Sequence, residues 1–140
     1  MSDREIKILC VDDNEDVASA LRIKFAHVGG YDWQGWLPDA ERLVEEVVRN
    51  EPDIVLLDVD MPGKDPFAAL QELSLQEVDA RTIIFSGHVR KELVDRALEA
   101  GAWGYVSKND GEDSLLSAIV QVLSGEFAFS YEARCVCDQF

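Results

Sequence analysis

Two acidic stretches carry the residues best suited to chemistry. "VDDNED" places Asp12 and Asp13 directly behind an apolar run, and "IVLLDVDMPG", residues 54–63, places Asp58 and Asp60 two positions apart before a Met-Pro-Gly turn. A D-x-D behind an apolar run admits two kinds of phosphoryl chemistry: a phosphatase in which one aspartate attacks and the other moves protons, or a switch that stores a phosphoryl group on one aspartate. Ser86 closes the run "RTIIFS" and Lys108 closes "WGYVSK". If Asp12, Asp13 and Asp58 meet, each pair repels by about 4 kcal/mol at ~4 Å and an effective dielectric near 20, so something positive must join them. A hard divalent cation suits carboxylate oxygens, and Mg²⁺ (or Mn²⁺) takes one or two of them while keeping waters that a phosphate oxygen can displace. Lys108 adds a point charge and Ser86 a hydroxyl donor. Together these groups suit phosphoryl transfer, which needs positioning and charge neutralisation above all. Nothing in the set supports acyl or hydride transfer. No G-x-G-x-x-G or Walker loop is present, and His27 and His88 are too few for a metal triad.

The elements that must position these groups alternate along the chain. "IKILCVD" (6–12), "YDWQGW" (31–36), "DIVLLD" (53–58), "RTIIFS" (81–86) and "WGYVSK" (103–108) read as strands, the first, third and fourth apolar enough to be buried on both faces. Between them run helical stripes: Val17, Leu21 and Phe25; Leu43, Val44, Val47 and Val48; Phe67, Leu70 and Leu73 in a helix over about 66–77; Leu93, Val94, Ala97 and Leu98; and Leu115, Leu116, Ile119, Val120 and Leu123. Strict alternation predicts an α/β fold, a doubly wound five-stranded parallel sheet between two helical layers. Such sheets bind ligands at the carboxyl ends of their strands, where Asp12, Asp13, Asp58, Asp60, Ser86 and Lys108 all fall. The second strand offers nothing comparable, as expected of an edge.

With 140 residues, 47% of them hydrophobic, the chain is sized for one domain. That domain is expected over 1–126, with 127–140, "FAFSYEARCVCDQF", as an aperiodic tail or the start of a linker. The 28 acidic and 13 basic residues give a formal charge of -15, which disfavours direct nucleic-acid binding and anionic membrane surfaces. No apolar run approaches the roughly 20 residues of a membrane span, and "MSDREIK" lacks a signal-peptide core, so a cytoplasmic location is expected. Cys10 reads as a small core residue; Cys135 and Cys137, a lone C-x-C, make neither a disulfide framework nor a zinc site.

"ILCVDDNED", "IVLLDVDMPG", "TIIFSGH" and "GAWGYVSK" resemble, in order and spacing, the four characteristic segments of the receiver domain of two-component response regulators. The resemblance covers about residues 5–125 and is closest to receivers of LuxR-type regulators. It implies a flavodoxin-like three-layer sandwich with sheet order 2-1-3-4-5. It implies that Asp58 accepts a phosphoryl group from a histidine kinase or phosphotransfer protein, so that the only catalysis is self-phosphorylation and autodephosphorylation. It assigns the metal to Asp13, Asp58 and the Asp60 backbone carbonyl, with Asp12 helping mainly through water, and the phosphoryl oxygens to Ser86, Gly87 and Lys108. Ser86 and Tyr105 match the switch pair, in which a shift of Ser86 lets the Tyr105 ring turn inward and remodels the face of the fourth helix, fifth strand and fifth helix. That face is expected to bind a downstream effector or a second copy, with transcription as the output if the chain is the front end of a longer regulator.

Several positions depart from the family pattern or extend it. Many receivers follow the lysine with a cis proline, whereas Asn109 follows Lys108 here. No helix-turn-helix follows, so the chain reads as a stand-alone receiver or as the excised front end of a longer protein. Asp60 and His88, each two residues beyond a site residue, are expected to tune phosphoryl lifetime, with solvated side chains as the plain alternative. Trp103, two residues before Tyr105, is expected on the same strand face, as an output anchor or an ordinary packed ring. The rival enzyme is a haloacid-dehalogenase-type phosphatase using Asp58 and Asp60, but that family expects its D-x-D on the first strand and Thr or Val where Pro62 stands. A flavin-binding flavodoxin would need a hydroxyl-rich phosphate loop where "VDDNED" places negative charge.

Overall fold

Short strands, buried at the centre of the sheet, alternate with amphipathic helices in the computed structural model, which describes residues 4–137; residues 1–3 of the expected domain and 138–140 of the expected tail lie outside that range. In chain order the elements are β1 (Ile6–Val11), α1 (Glu15–Val28), β2 (Tyr31–Leu37), α2 (Leu43–Asn50), β3 (Ile54–Leu57), α3 (Pro66–Ser74), β4 (Arg81–Ser86), α4 (Lys91–Ala100), β5 (Gly104–Ser107), a 3-10 turn (Lys108–Asp110), α5 (Glu112–Leu123), β6 (Ala128–Phe129) and α6 (Tyr131–Cys137). All strand pairs are parallel, in the order β2-β1-β3-β4-β5-β6. The five expected strands thus take the expected order. A sixth, built from residues the sequence pattern leaves aperiodic, extends the sheet beyond β5.

The period of two along each strand sorts the core into two halves. Ile8 and Cys10, Ile54 and Leu56, Ile83 and Phe85, and Val106 pack with Ala18, Leu21 and Phe25 of α1 and Leu115, Ile119 and Val122 of α5. Leu9 and Val11, Val55 and Leu57, Ile84 and Tyr105 pack on the other face with α2, α3, α4 and Ala133 of α6. The central strands are covered on both sides, as their unbroken apolar runs require.

Local signals set the helix ends. Asn14 caps α1 by accepting from the Asp16 N–H at 2.9 Å, and Asp65 caps α3 by accepting from the Phe67 N–H at 3.0 Å, with Pro66 in the first turn. Gly101 ends α4 at φ +112, a left-handed conformation that glycine adopts without strain. In β2 the register slips between Ile8 and Leu9, so that Trp33 pairs with Ile8 and Trp36 with Cys10. This bulge puts two tryptophans three residues apart on one face, against the α1–α5 half of the core.

Candidate active site

β1, β3, β4 and β5 finish side by side, and each ends on the same local device. The side chain at the strand end accepts the backbone N–H two residues on: Asp12 from Asn14 at 2.9 Å, Asp58 from Asp60 at 3.3 Å, Ser86 from His88 at 3.1 Å and Ser107 from Asn109 at 3.0 Å. Aspartate and serine serve this role because their short oxygens reach their own backbone. All four are nearly enclosed, with residue exposures of 2%, 5%, 0% and 0% for Asp12, Asp58, Ser86 and Ser107. The strand ends therefore present two buried carboxylates and two buried hydroxyls in fixed orientations.

Lys108 is the middle residue of the last of these turns. Its Nζ lies 2.8 Å from Asp12 Oδ2 and 3.5 Å from Asp58 Oδ2. Burial works against the ammonium, but the hydrogen bond to Asp12 and the charge of Asp58 outweigh it and hold the lysine above its ordinary pKa. Asp58 moves above the usual carboxylate range chiefly because it is buried, with Asp12 pushing the same way; Lys108, the Asp60 N–H and the Ser86 hydroxyl pull against that shift. Asp13 stands at the solvent side, and carboxylate oxygens of Asp12, Asp13 and Asp58 lie within 4.8 Å of one another. Such an all-oxygen set can hold a hard divalent cation. Cys10, beneath this cluster, is pushed up to about 12 by burial and then by the charge of Asp12, which leaves it an inert core thiol.

Asp60 and His88 do meet. His88 Nε2 is 2.9 Å from Asp60 Oδ2, an exposed pair spanning the loops after β3 and β4. The Asp60 backbone N–H, not its carboxylate, serves Asp58. Gly87 is exposed between Ser86 and His88. His88 lies in the β4–α4 loop, ahead of α4, whose first residue is Lys91. Tyr105 is fully buried, and its hydroxyl donates to the His88 carbonyl, joining β5 to the β4–α4 loop. Burial, followed by the charge of Asp58, raises that phenol above its ordinary range.

Trp103 corrects the expectation drawn from strand parity. β5 begins only at Gly104, so Trp103 lies in the preceding turn and packs with the opposite half of the core from Tyr105. Its ring stacks on Phe127 at 5.0 Å and lies beneath the Arg81 guanidinium at 4.1 Å, at the amino end of the sheet. Two residues of the site carry no sequence signal of a role there. The Trp36 indole N–H donates to the Asp12 carbonyl at 2.6 Å, and Ser107 shapes the Lys108 turn. The described peptide bonds are all trans, including the one between Lys108 and Asn109.

Comparison with known proteins places this arrangement. The family model for the response regulator receiver domain matches residues 8–120. Response regulator UvrY of Escherichia coli is 31% identical over 121 residues, 86% of this chain and 56% of that protein. Response regulator GacA of Pseudomonas aeruginosa is 30% identical over the same length, again across 86% and 56%. The chain thus spans about half the length of the curated relatives it matches. A two-component response regulator of the LuxR family from Aurantimonas sp. SI85-9A1 superposes with a TM-score of 0.89 at 29% identity, covering 95% of each chain. The family match runs from β1 into α5 and contains every one of the converging strand ends, so the chain belongs to the response regulator receiver domain family.

Proposed function

We propose that Asp58 is the phosphoacceptor of this receiver, taking a phosphoryl group from a sensor histidine kinase or phosphotransfer protein. The observation that carries the reading is the position of its carboxylate: buried at the end of β3, beside Asp12 and 3.5 Å from the Lys108 ammonium. Asp12, Asp13, Asp58 and the Asp60 carbonyl are the groups that would hold Mg²⁺ or Mn²⁺, and a bound cation would neutralise the clustered carboxylates against an incoming phosphate. Lys108, Ser86 and the Gly87 backbone would bind the phosphoryl oxygens. The receiver's own chemistry ends with hydrolysis of the acyl phosphate, and the exposed Asp60–His88 pair stands where water would reach that bond. Lifetime tuning by this pair is tested by decay of the phosphorylated protein. Asp60→Asn should change the rate, and an unchanged rate would remove the idea.

Output follows from Ser86 and Tyr105. A shift of the Ser86 hydroxyl toward the phosphoryl group would alter the loop whose His88 carbonyl binds Tyr105, and so the α4–β5–α5 face that an effector or second copy would read. Part of that face already has an occupant, since α6 packs against both β5 and α4. A partner of this face therefore meets α6 as well.

The phosphatase reading finds less support. The Asp60 carboxylate is 71% exposed and engaged by His88, so it is not held as an acid for a leaving group at Asp58. A cavity of about 330 Å³ lies at the other end of the sheet, lined by residues such as Lys7, Pro52 and Asp53. Incubation with Mg²⁺ and acetyl phosphate, followed by peptide mass spectrometry, tests the assignment. Label is expected on Asp58 and absent from Asp58→Asn. Label on another residue, or multiple turnover of phosphate esters, overturns it.

A further inference from the structure

Residues 128–132 reach into the turn that carries Lys108. β6 lies beside β5, with Gly104 opposite Ala128 and Tyr105 opposite Phe129, and the Ser130 N–H donates to the Tyr105 carbonyl at 3.1 Å. The pairing then passes from backbone to side chains. The Ser107 N–H donates to Ser130 Oγ at 2.9 Å, and the Ser107 hydroxyl donates to the Glu132 carboxylate. Asn109 Nδ2 donates to the same carboxylate oxygen at 3.4 Å, and the Glu132 N–H donates to Asp110 Oδ2 at 2.8 Å. Ser107, Asn109 and Asp110 are thus each tied to Ser130 or Glu132, while Lys108 among them is directed at Asp12 and Asp58.

The segment is itself anchored. Ala133, one residue beyond Glu132, is fully buried in the cluster that contains Tyr105, Val94 and Ala97. Ser130 is 7% exposed and Ser107 completely enclosed, so their hydrogen bonds lie where water competes poorly. Lysine is a flexible chain bearing a point charge, and the placement of its ammonium depends on how firmly its backbone is held. The turn itself is a single 3-10 element of three residues, too short to hold its own shape through internal hydrogen bonds.

We propose that Glu132 and Ser130 are positioning residues for phosphoryl transfer, bracing the 107–110 turn so that Lys108 meets the phosphoryl group at Asp58. The inference rests on the reading of Asp58 as phosphoacceptor. The Glu132 carboxylate accepts from both Ser107 and Asn109 and bridges the two ends of the Lys108 peptide unit. Without it the turn keeps the Ser107–Asn109 bond, the bond from the Ser107 N–H to Ser130 Oγ and the bond from the Glu132 N–H to the Asp110 carboxylate.

The test is the rate at which the full chain is labelled on Asp58 by acetyl phosphate and Mg²⁺, followed by intact mass. Displacement of a reacting group by about 1 Å costs on the order of a hundredfold, and a loosened turn costs less, so Glu132→Ala should slow labelling about tenfold. Glu132→Gln retains an acceptor oxygen for Ser107 and Asn109 and should stay within about twofold of wild type. In a Lys108→Ala background Glu132→Ala should have no further effect, because the two residues act as one unit. Ser130→Ala, a small change in a buried position, should reproduce part of the loss if Glu132→Ala loses its fold. Wild-type labelling of Asp58 with an unchanged Glu132→Ala rate overturns the brace alone, as does an equal loss with and without Lys108. Absence of label from wild-type Asp58 overturns the brace and the proposed function together.

Discussion

Asp58→Asn should make the metal-free protein more stable at neutral pH, although it removes the residue on which function is proposed to turn. The Asp58 carboxylate sits 3.5 Å from Lys108 Nζ, an attraction of about 5 kcal/mol at an effective dielectric near 20. Oxygens of Asp12 and Asp13 lie within 4.8 Å, giving repulsions of about 3.5 kcal/mol from buried Asp12 and about 1 kcal/mol from solvent-screened Asp13. These contributions nearly cancel, so the cost of burying a charge at 5% exposure decides the sign. That cost is several kcal/mol for an ion, and the Asp60 N–H and Ser86 hydroxyl return part of it, leaving a net penalty of about 1–2 kcal/mol. An asparagine has the same shape, can still accept from the Asp60 N–H, and carries no charge. For a chain of this size the gain corresponds to a rise in Tm of about 3–8 °C.

The pH dependence gives the argument its sign. Asp58 holds its proton more tightly in the folded state than in the unfolded chain, because burial raises its pKa. The stability linked to that proton is fully present below the unfolded carboxylate range and is lost as pH rises through the folded pKa. The advantage of Asp58→Asn should therefore be absent near pH 3, open through the mildly acidic range and level off by neutrality. Thermal melts in EDTA across that range measure it. Millimolar Mg²⁺ should then close the gap, since a cation that binds the native carboxylates stabilises wild type more than the variant. An Asn variant less stable than wild type in EDTA at neutral pH, or an advantage independent of pH, would show that burial of the Asp58 charge does not set the sign.

Asp13→Asn should weaken Mg²⁺ binding by about tenfold with little effect on stability, because Asp13 is the exposed carboxylate of the three; Trp36, bonded to the Asp12 carbonyl, offers the fluorescence readout, and Trp36→Phe identifies its share of the signal. Tyr105→Phe keeps the buried ring but loses the bond to the His88 carbonyl, and should cost about 1 kcal/mol in urea unfolding while speeding amide exchange in the 87–90 loop. Gly104→Ala would put a Cβ 2.8 Å from the Ala128 carbonyl oxygen, so it should pry β6 from β5, cost about 1–3 kcal/mol, and slow labelling of Asp58 in the manner of Glu132→Ala.

The convergence of Asp12, Asp13, Asp58, Ser86 and Lys108 was legible because it follows from a period: alternating strands and helices make a parallel sheet, and residues just past its strands share one edge. Features that break a period were not legible. A bulge in β2 brings Trp33 and Trp36 to one face, and a strand that starts one residue late sends Trp103 away from Tyr105. The meeting of Asp60 and His88 depends on two loops crossing a short distance, which neither loop's sequence states. The C-terminal segment escaped for a further reason. β6 is two residues long and α6 seven, and Ala133 is the buried residue of that helix, so neither presents an apolar repeat. What holds the segment is specific pairing: an edge strand with unpaired groups, Gly104 leaving room for the Ala128 carbonyl, and Ser130 and Glu132 taking up the hydrogen bonds of Ser107 and Asn109. Hydrophobic burial writes itself into a sequence as periodicity, whereas hydrogen bonds between buried edges leave isolated Ser, Gly and Glu. Such residues beside a charged site merit the scrutiny given to its aspartates, because a flexible lysine is only as well placed as the backbone beneath it.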